Sequence, residues 1–338
     1  MTRHKSTAVK PISIHEVAKL AGVSITTVSR VINKFQTVKD ANRRKVLEAI
    51  KKLNYNPSPV AQRLATGKNN VISLVMPRYE GIFYSFYALE LIKSIGNMCS
   101  VLKLDLLLRI VDGHSALNLK GIGGLIFADI IGNKSQLLQA LEARVPVVVI
   151  NNYIEDLEVN CVAIDNLGGA KQATKYLIDL GHKRIAHIAG DVVTQAAALR
   201  LEGYKQALKE NNLEINPEYI EKTDYSRGRA RQAAEKILAL EPAPTAVFVA
   251  SDTMALEVMA VALEKGKQIP RDFSIVGFDD NPTSLYGPVS LTTVRQPLIK
   301  MGEEAVKRLN AIMSAKDAAV EKIILPTELV IRESCARI

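Results

Sequence analysis

Residues 13–33 read S-I-H-E-V-A-K-L-A-G-V-S-I-T-T-V-S-R-V-I-N, and this stretch decides the fold of the N-terminal part of the chain. Ser13 followed by Glu16 is the pattern of a capping box, so a first helix starts here. Gly22 ends that helix, because glycine adopts the left-handed conformation without a steric cost. Ser24 then caps a second helix. Two helices joined by a short turn that contains glycine predict a helix-turn-helix.

The start of the second helix carries the side chains that are free to contact a partner. They are short or polar apart from one isoleucine: Ile25, Thr26, Thr27, Ser29 and Arg30. In a helix-turn-helix that binds DNA, this end of the second helix enters the major groove. An ordinary helical hairpin in a small α domain is the alternative that spacing alone leaves open.

The distribution of charge favours DNA binding over that alternative. Residues 1–68 carry 14 Lys/Arg and 3 Asp/Glu, a net charge of +11. The remaining 270 residues carry 30 and 32, a net charge of −2, so the excess of +9 belongs entirely to the first segment. A basic segment that coincides with the motif is typical of a nucleic-acid binder, because Lys and Arg displace counterions from phosphates.

A third helix and a linker follow the motif. Residues 40–53 predict a helix with one apolar face. That face consists of Val46, Leu47, Ile50 and Leu53. Two prolines within residues 54–59 break the helical pattern, and residues 60–65 are too few to form a helix that is stable alone. This segment is either a plain linker or a helix that folds when DNA is bound.

From residue 70 onward, apolar runs alternate with helical segments. The runs predict buried strands at 71–76, 104–110, 125–127, 147–150, 184–188, 246–249 and 274–276. The predicted helices include 84–102, 168–180, 199–211, 226–240 and 253–265. This alternation implies parallel sheets, and ligands of such folds bind beyond the carboxyl ends of the strands. The predicted fold class is a small all-α helix-turn-helix headpiece plus an α/β core of two parallel-sheet subdomains with a cleft between them.

One predicted connection is unusually short. Residues 111–124 read V-D-G-H-S-A-L-N-L-K-G-I-G-G and must join two strands of a parallel sheet. Such a crossover needs about a dozen residues and is usually a helix. We expect at most one or two helical turns here.

Composition excludes several classes of protein. No apolar run reaches about 18 residues, so we expect no membrane-spanning helix. We expect residues 1–10 to be a basic, disordered tail. This tail lacks the apolar core of a secretory signal. Cys99, Cys161 and Cys335 are far apart and show no metal-site spacing. We therefore expect a cytoplasmic protein without a metal or a cofactor.

Two other functional classes are weighed against a DNA-binding regulator. An enzyme on a doubly wound fold would need a nucleotide loop, but the G-I-G-G of residues 121–124 precedes a strand instead of following one. Neither a Ser-His-Asp nor a G-x-S-x-G arrangement is found, so we expect no catalytic residues. A pure sugar-binding carrier would need an export signal and would not carry a basic helical head.

The chain resembles the lactose-repressor/galactose-repressor (LacI/GalR) family of bacterial transcriptional regulators over essentially its full length. The head, I-H-E-V-A-K-L-A-G-V-S-I-T-T-V-S-R-V-I-N, and the following P-V-A-Q-R-L-A-T-G-K are the family's most specific segments. The body is similar at L-G-H-K-R-I-A-H-I-A-G, R-L-E-G-Y, P-T-A-V-F-V-A-S-D-T-M-A-L, S-I-V-G-F-D-D and L-T-T-V-R-Q-P.

The resemblance implies a homodimer that binds pseudo-palindromic operator DNA and whose core resembles periplasmic sugar-binding proteins. The implied domains are a headpiece at 11–57, a hinge helix at 58–69 and a core at 70–338. Within the core, one subdomain spans about 70–163 and 296–325, and the other spans 164–293 and 326–338. By position, the DNA-binding residues are Ser24, Ile25, Thr26, Thr27, Ser29, Arg30, Asn33, Ala61 and Leu64. Leu64 would wedge into the minor groove.

The resemblance also implies a small-molecule effector in the cleft, most simply a sugar, with a nucleobase or a sugar phosphate as the alternative. The effector-binding residues by position are Phe83, Tyr84, Asn151, Asp165, Arg200, Tyr225, Ser251, Asp252 and Asp279. An arginine fork, a carboxylate and flat aromatic faces suit a ring that carries several hydroxyls. Asp165 and Asp252 could instead cap helices, and Phe83 or Tyr84 could be core residues.

The sequence departs from the family at several positions. Lys39 stands where a Ser or Thr usually caps the third helix, with Thr37 and Asp40 as a substitute cap. Ser251 stands where the lactose repressor has Asn, so the effector is expected to differ from that protein's. The crossover at 111–124 lacks most of a helix. No leucine-heptad tail follows the core, which favours a dimer over a tetramer.

Overall fold

Three short helices form the N-terminal unit, Met1–Asn70, in a computed structural model that describes residues 12–33, 35–55, 69–78, 82–153, 157–315 and 319–338. The helices are α1 (Ile14–Ala21), α2 (Ile25–Ile32) and α3 (Asp40–Leu53). The predicted tail at 1–10, Ala61, Leu64 and all of the predicted hinge except its last residue lie outside the described residues. The two-helix motif and the third helix are confirmed.

The predicted caps explain where these helices begin and end. The Ser13 backbone N–H donates to the Glu16 carboxylate at 2.7 Å, and Gly22 takes the left-handed conformation with φ of 63°. The Ser24 hydroxyl accepts from the backbone N–H of Thr27 at 3.2 Å. No side chain caps α3 at Lys39, so the substitute cap expected there does not form.

The core of this unit is built from small apolar side chains. Its buried members are Val17, Ala18, Ala21, Val28, Val31, Val38, Val46 and Ala49. Leu47, predicted on the buried face of α3, is instead 53% exposed, and Ala49 takes the inward position. Successive helical residues point about 100° apart, so Val46 and Ala49 share a face that Leu47 does not.

The second unit, Val71–Ile338, contains two parallel sheets. Its first strands are β1 (Val71–Pro77), β2 (Asp105–Val111), β3 (Gly124–Ala128), β4 (Val147–Ile150) and β5 (Asn160–Ile164). The later strands are β6 (Ile185–Ala189), β7 (Ile220–Lys222), β8 (Ala246–Val249), β9 (Ser274–Val276), β10 (Thr293–Arg295), β11 (Lys322–Leu325) and β12 (Glu328–Val330). One sheet has the order β11-β5-β4-β3-β1-β2, the other β7-β6-β8-β9, and β10 pairs antiparallel with β12.

Helices cover both sheets. They are α4 (Phe86–Leu102), α5 (Lys134–Glu142), α6 (Asn166–Asp179), α7 (Gln195–Glu210), α8 (Arg227–Ile237), α9 (Asp252–Glu264) and α10 (Leu298–Ser314). Several begin earlier or end sooner than periodicity predicts, because side-chain caps decide their ends. Thr194, for example, caps α7 five residues before the predicted start at residue 199.

The chain crosses from one half of the core to the other three times: after β5, between β9 and α10, and after β11. Such a topology places the carboxyl ends of both sheets toward one cleft. The strands of both sheets are almost wholly buried, with the edge strands β2, β7 and β11 as exceptions, as expected for parallel sheets covered by helices. The two predicted parallel-sheet subdomains are therefore confirmed as a fold class.

The short connection between β2 and β3 contains no helix. It has to pass over β1, which lies between its two ends in the sheet. Leu117 is buried under this connection and packs with Val75, Leu125 and Phe127 of the neighbouring strands. The connection thus covers the sheet with a few apolar side chains instead of a helical face.

Two glutamines of α5 hold this connection in place. The Gln139 amide accepts from the Leu117 backbone N–H at 2.8 Å and donates to the Leu117 carbonyl at 3.1 Å. Gln136 donates to the carbonyl of Ser115 at 2.5 Å. Each amide replaces the backbone partner that a helix would have supplied, so the buried peptide groups stay hydrogen-bonded.

We expect Gln139→Ala to lower the free energy of unfolding of the core by about 1–3 kcal/mol, because it leaves the Leu117 peptide without partners. The measurement is chemical denaturation followed by circular dichroism on the full chain. Gln232→Ala, at an exposed position of α8, is the matched control and should change stability by less than about 0.5 kcal/mol. Equal effects of the two substitutions would contradict this role of Gln139.

Candidate functional site

The N-terminal end of α2 presents an exposed surface in the first unit. Ser24, Ile25, Thr26 and Arg30 are exposed, and Ile25 is 41% exposed although it is apolar. Thr27 is half-buried, and its hydroxyl lies 2.9 Å from that of Ser24. Ser24 and Thr27 therefore hold the helix end, while Ile25, Thr26 and Arg30 are free to reach outward.

The remaining predicted residues of this surface flank the same helix. The Asn33 amide donates to the Ser29 hydroxyl at 3.4 Å, and both side chains are partly buried. An apolar side chain next to hydroxyl and guanidinium groups suits a DNA major groove, because thymine offers a methyl group and guanine offers paired acceptors. This surface contains every predicted DNA-binding residue that the structure describes.

A second polar site surrounds Arg200 on α7, whose side chain is only 4% exposed. Its Nε donates to the amide oxygen of Asn166 at 2.8 Å, and its Nη1 donates to the Ala250 carbonyl at 2.6 Å. The guanidinium carbon lies 3.7 Å from the centre of the Phe278 ring. A buried guanidinium is stable only when its donors and charge are compensated, and here the backbone, an amide and a ring do this.

Asp279 supplies the opposite charge. One carboxylate oxygen lies 3.9 Å from Nη1 of Arg200, and the Gln296 amide donates to the same oxygen at 2.5 Å. Burial raises the pKa of Asp279 to about 6, although Arg200 and Gln296 act in the opposite direction. Asp279 is partly exposed, so its carboxylate remains accessible to a ligand in the cleft.

Asp129 joins this site from the other sheet, and the sequence analysis missed it. It directly follows β3, and its carboxylate accepts from the Asn151 amide at 3.0 Å. Burial raises the pKa of Asp129 to about 6, while Tyr87, Asn151 and Arg200 lower it. The rule that ligands bind beyond the carboxyl ends of strands could have pointed to Asp129, since the strand prediction already ended two residues before it.

Asn151 and Asn166 connect the two halves of the site. The Asn166 amide group donates to the Asn151 oxygen at 3.5 Å, and the oxygen of Asn166 accepts from Arg200. Asn151 is itself held in the left-handed conformation, with φ of 59°. A hydrogen-bonded series therefore runs from Asp129 through both asparagines to Arg200.

Tyr225 also belongs to this site. It is half-buried, and Arg200, Asp279 and Asp129 all act on its hydroxyl, whose pKa burial raises. A Cβ on Gly190 would lie 2.0 Å from the Tyr225 ring, so only glycine at that position leaves room for the ring. The structure thus brings together Asn151, Arg200, Tyr225 and Asp279, four of the residues that the resemblance implies for the effector site.

Asp252, for which the sequence left effector binding and helix capping open, points into the protein interior. Its carboxylate is fully buried and accepts from the Thr293 hydroxyl at 2.5 Å and from the Asn281 backbone N–H at 2.8 Å. Burial raises its pKa to about 8, with the nearby Asp279 adding to the effect. Asp252 therefore holds the segment after Asp279 in place instead of facing the cleft.

Ser251 and Asp165 act as helix caps. The Ser251 hydroxyl accepts from the Met254 backbone N–H, and the Asp165 carboxylate accepts from that of Gly168. Ser251 is buried, whereas Asp165 is exposed. The capping alternative is confirmed for Asp165. Its role in effector binding stays a prediction.

Phe83 and Tyr84 are exposed rather than core residues. They lie on a short 3-10 helix, Ile82–Tyr84, and are 57% and 93% exposed. In the described part of the chain, no contact ties either ring to Arg200 or Asp279. Tyr87, three residues further on, is the aromatic residue that lies beside Asp129.

In the described residues, no group of three or more His, Cys, Asp or Glu side chains is arranged to hold a metal ion. Over those same residues, no helix is both long and apolar enough to cross a membrane.

Comparisons with known proteins match both units of the chain. Residues 13–58 match the family model "Bacterial regulatory proteins, lacI family", and residues 174–335 match "Periplasmic binding protein-like domain". HTH-type transcriptional regulator DegA of Bacillus subtilis is 35% identical, covering 95% of this chain and 97% of that protein. Catabolite control protein A of Priestia megaterium is 33% identical, with coverage of 96% and 99%.

Solved structures agree with these relatives. The Lac repressor dimer bound to operator and the anti-inducer ONPF has a TM-score of 0.83 and 27% identity, covering 97% of this chain and all of that chain. The complex of the transcriptional regulator CelR with cellobiose has a TM-score of 0.74 and 29% identity, with coverage of 96% and 99%. The headpiece motif, the two-sheet core and the full-length relatives together show that this chain belongs to the LacI family of bacterial transcriptional regulators.

Proposed function

We propose that this protein is a repressor that binds operator DNA as a homodimer and responds to a small polyhydroxylated effector, most simply a sugar. The observation that carries this proposal is the Arg200–Asp279 pair, whose charged atoms lie 3.9 Å apart and whose guanidinium lies over the Phe278 ring. The relatives are named as regulators, which supports a regulator in the cytoplasm without catalytic activity.

The proposed effector chemistry follows from the groups in the cleft. Carboxylates of Asp129 and Asp279 accept hydrogen bonds from hydroxyls, and the Arg200 guanidinium donates to them. Tyr225 offers a ring face that can pack on the C–H groups of a sugar. The CelR neighbour is described as a complex with cellobiose, which supports a carbohydrate.

A nucleobase corepressor is the second candidate. The HTH-type transcriptional repressor PurR of Histophilus somni is 35% identical to this chain over 332 residues. A planar base could lie on Tyr225 and pair with Asp279. A ligand of either class would lose affinity when Arg200 is replaced, since both would contact its guanidinium.

The proposed DNA contacts divide between two segments. Ile25 and Thr26 read base edges, while Thr27, Ser29, Arg30 and Asn33 contact neighbouring bases or phosphates. The segment 58–69 acts as a hinge in which Leu64 wedges into the minor groove beside Ala61, and this assignment rests on the sequence alone.

Exposed apolar side chains of the core support the homodimer. On α4, Leu89 is 46% and Val101 is 72% exposed, and Leu107 is exposed on β2 at the edge of the six-stranded sheet. In the other half of the core, Tyr286 is 83% exposed. Exposed apolar side chains next to a sheet edge are typical of a protein–protein interface.

The proposed mechanism is a shift between two arrangements of the core. Tyr153 and Gln195 exchange two hydrogen bonds of 2.8 Å and thereby join the loop after β4 to the start of α7. Asp129 and Arg200 belong to different halves of the core. An effector that contacts both residues favours the arrangement of the two halves in which both side chains are within contact distance of the ligand. The effector shifts the equilibrium only by its difference in affinity for the two arrangements.

We expect Thr26→Ala to weaken binding to an operator selected from random DNA by about 5- to 100-fold, because one base-edge contact contributes about 1–3 kcal/mol. Fluorescence anisotropy over a salt series measures this. Thr37→Ala, an exposed threonine outside α2, is the matched control. Non-specific affinity and the salt dependence should stay unchanged, and a parallel loss on random DNA would show that Thr26 contacts only the backbone.

We expect Arg200→Ala to abolish the effector response while operator affinity without effector is retained. Loss of a buried charged partner costs about 2–5 kcal/mol, so effector affinity should fall at least tenfold. The effector is first identified by thermal shift against sugars, sugar phosphates and purines, and its affinity is then measured by calorimetry.

Arg200→Lys is the companion variant, because it keeps the charge and loses the fork. Circular dichroism establishes that each variant is folded before its affinity is compared. Unchanged effector affinity in a folded Arg200→Ala protein would remove Arg200 from the effector site.

A further inference from the structure

Asp129 has a position that neither its sequence neighbourhood nor the family resemblance assigns to a function. It lies at the carboxyl end of β3, with φ of 64°, on the opposite sheet from Arg200 and Asp279. A hydrogen-bonded series through Asn151 and Asn166 nevertheless connects its carboxylate to Arg200, whose charge lowers the pKa of that carboxyl. Asp279 lies 3.9 Å from the same guanidinium. The carboxylates of Asp129 and Asp279 therefore face the space beside Arg200, one from each half of the core.

The charges of the described residues around this space sum to a negative value. Among those residues, Arg200 is the cation that faces both carboxylates, and its Nε and Nη1 already donate to Asn166 and to the Ala250 carbonyl. Burial raises the pKa values of Asp129 and Asp279 to about 6, so both are ionised at pH 8. One guanidinium thus faces two carboxylates.

Other nearby charges do not reverse this balance. Asp280 is paired with Arg295 at 2.6 Å and with Arg332 at 2.5 Å, and Glu328 pairs with Arg295 at 2.9 Å, so two carboxylates compensate the charges of these two arginines. Asp252, buried behind Asp279, can only add negative charge. An anionic ligand placed between Asp129 and Asp279 would meet like charges at close range in a partly desolvated site.

We propose that Asp129 is a specificity-determining residue that restricts the cleft to uncharged, hydroxyl-bearing ligands and excludes sugar phosphates and sugar acids. The proposal rests on the function proposed above and narrows its effector class. Asp129 accepts a hydroxyl of the ligand, and its charge repels phosphate or carboxylate groups that Arg200 would otherwise attract.

Asp129 also has a structural contact, which the test must separate from its charge. The carboxylate also holds the Asn151 amide at 3.0 Å, so its removal could disturb Asn151. Asp129→Asn keeps an oxygen that accepts from Asn151 and removes only the charge. A change in anion binding by this variant therefore reports the loss of the charge and not a loss of support for Asn151 and the loop after β4.

The test uses inorganic phosphate as the probe, at pH 8 and constant ionic strength set with chloride. Binding is measured by calorimetry on the full chain for the wild type and for Asp129→Asn. We expect Asp129→Asn to bind phosphate at least tenfold more tightly than the wild type. The addition of Arg200→Lys to Asp129→Asn should weaken this new binding, since the guanidinium fork is what attracts the anion.

Asp112→Asn is the matched control for the change in net charge. Asp112 is an exposed aspartate that follows β2 in the same half of the core. Because the basic N-terminal segment can bind phosphate by itself, the comparison between the two Asp→Asn variants isolates the cleft. An equal gain in both variants, no gain in Asp129→Asn, or tight cleft binding of phosphate by the wild type would each overturn the proposal.

Operator binding by the same proteins keeps this test distinct from a failure of the proposed function. If the wild type does not bind operator DNA, the proposed function fails whatever phosphate does. If it binds operator and also takes up phosphate through Arg200, the proposed function stands and the anion exclusion by Asp129 is wrong.

Discussion

The buried guanidinium of Arg200 is the group around which the core is arranged. A charge with 4% exposure is stable only when the protein replaces its water, and the replacements come from distant parts of the chain. Asn166 precedes it by 34 residues, while the Ala250 carbonyl and the Phe278 ring follow it. Each of these groups follows or lies near the end of a strand. The contacts that compensate the Arg200 guanidinium therefore hold the ends of several strands together.

The segment after β9 connects this arginine to the strands that link the two halves of the core. Asp279 faces Arg200, whereas its neighbour Asp280 pairs with Arg295 on β10 and with Arg332 beyond β12. Both aspartates have positive φ. The residue that faces Arg200 is therefore bonded directly to the residue that holds β10 and the segment after β12.

Local patterns predicted the helix-turn-helix because short-range chemistry controls it. Ser13, Gly22 and Ser24 act on peptide groups within a few residues, so the caps could be identified without any knowledge of the rest of the chain. Apolar runs predicted most of the strands for a similar reason, since strands of a covered parallel sheet are apolar on both faces. The short crossover was evident from its length, but the glutamines that hold it lie more than twenty residues away on α5.

The sequence by itself determined the headpiece and the two-sheet fold class, while Asn151, Arg200, Tyr225 and Asp279 were singled out by the family resemblance and lie together in the structure. Only the tertiary structure decided that Asp129 joins them and that Asp252 turns inward to Thr293 and Asn281. The physical reason is that both aspartates follow buried strands and look alike in sequence. Which of them faces the cleft depends on packing between segments far apart in the chain, and no local pattern encodes it.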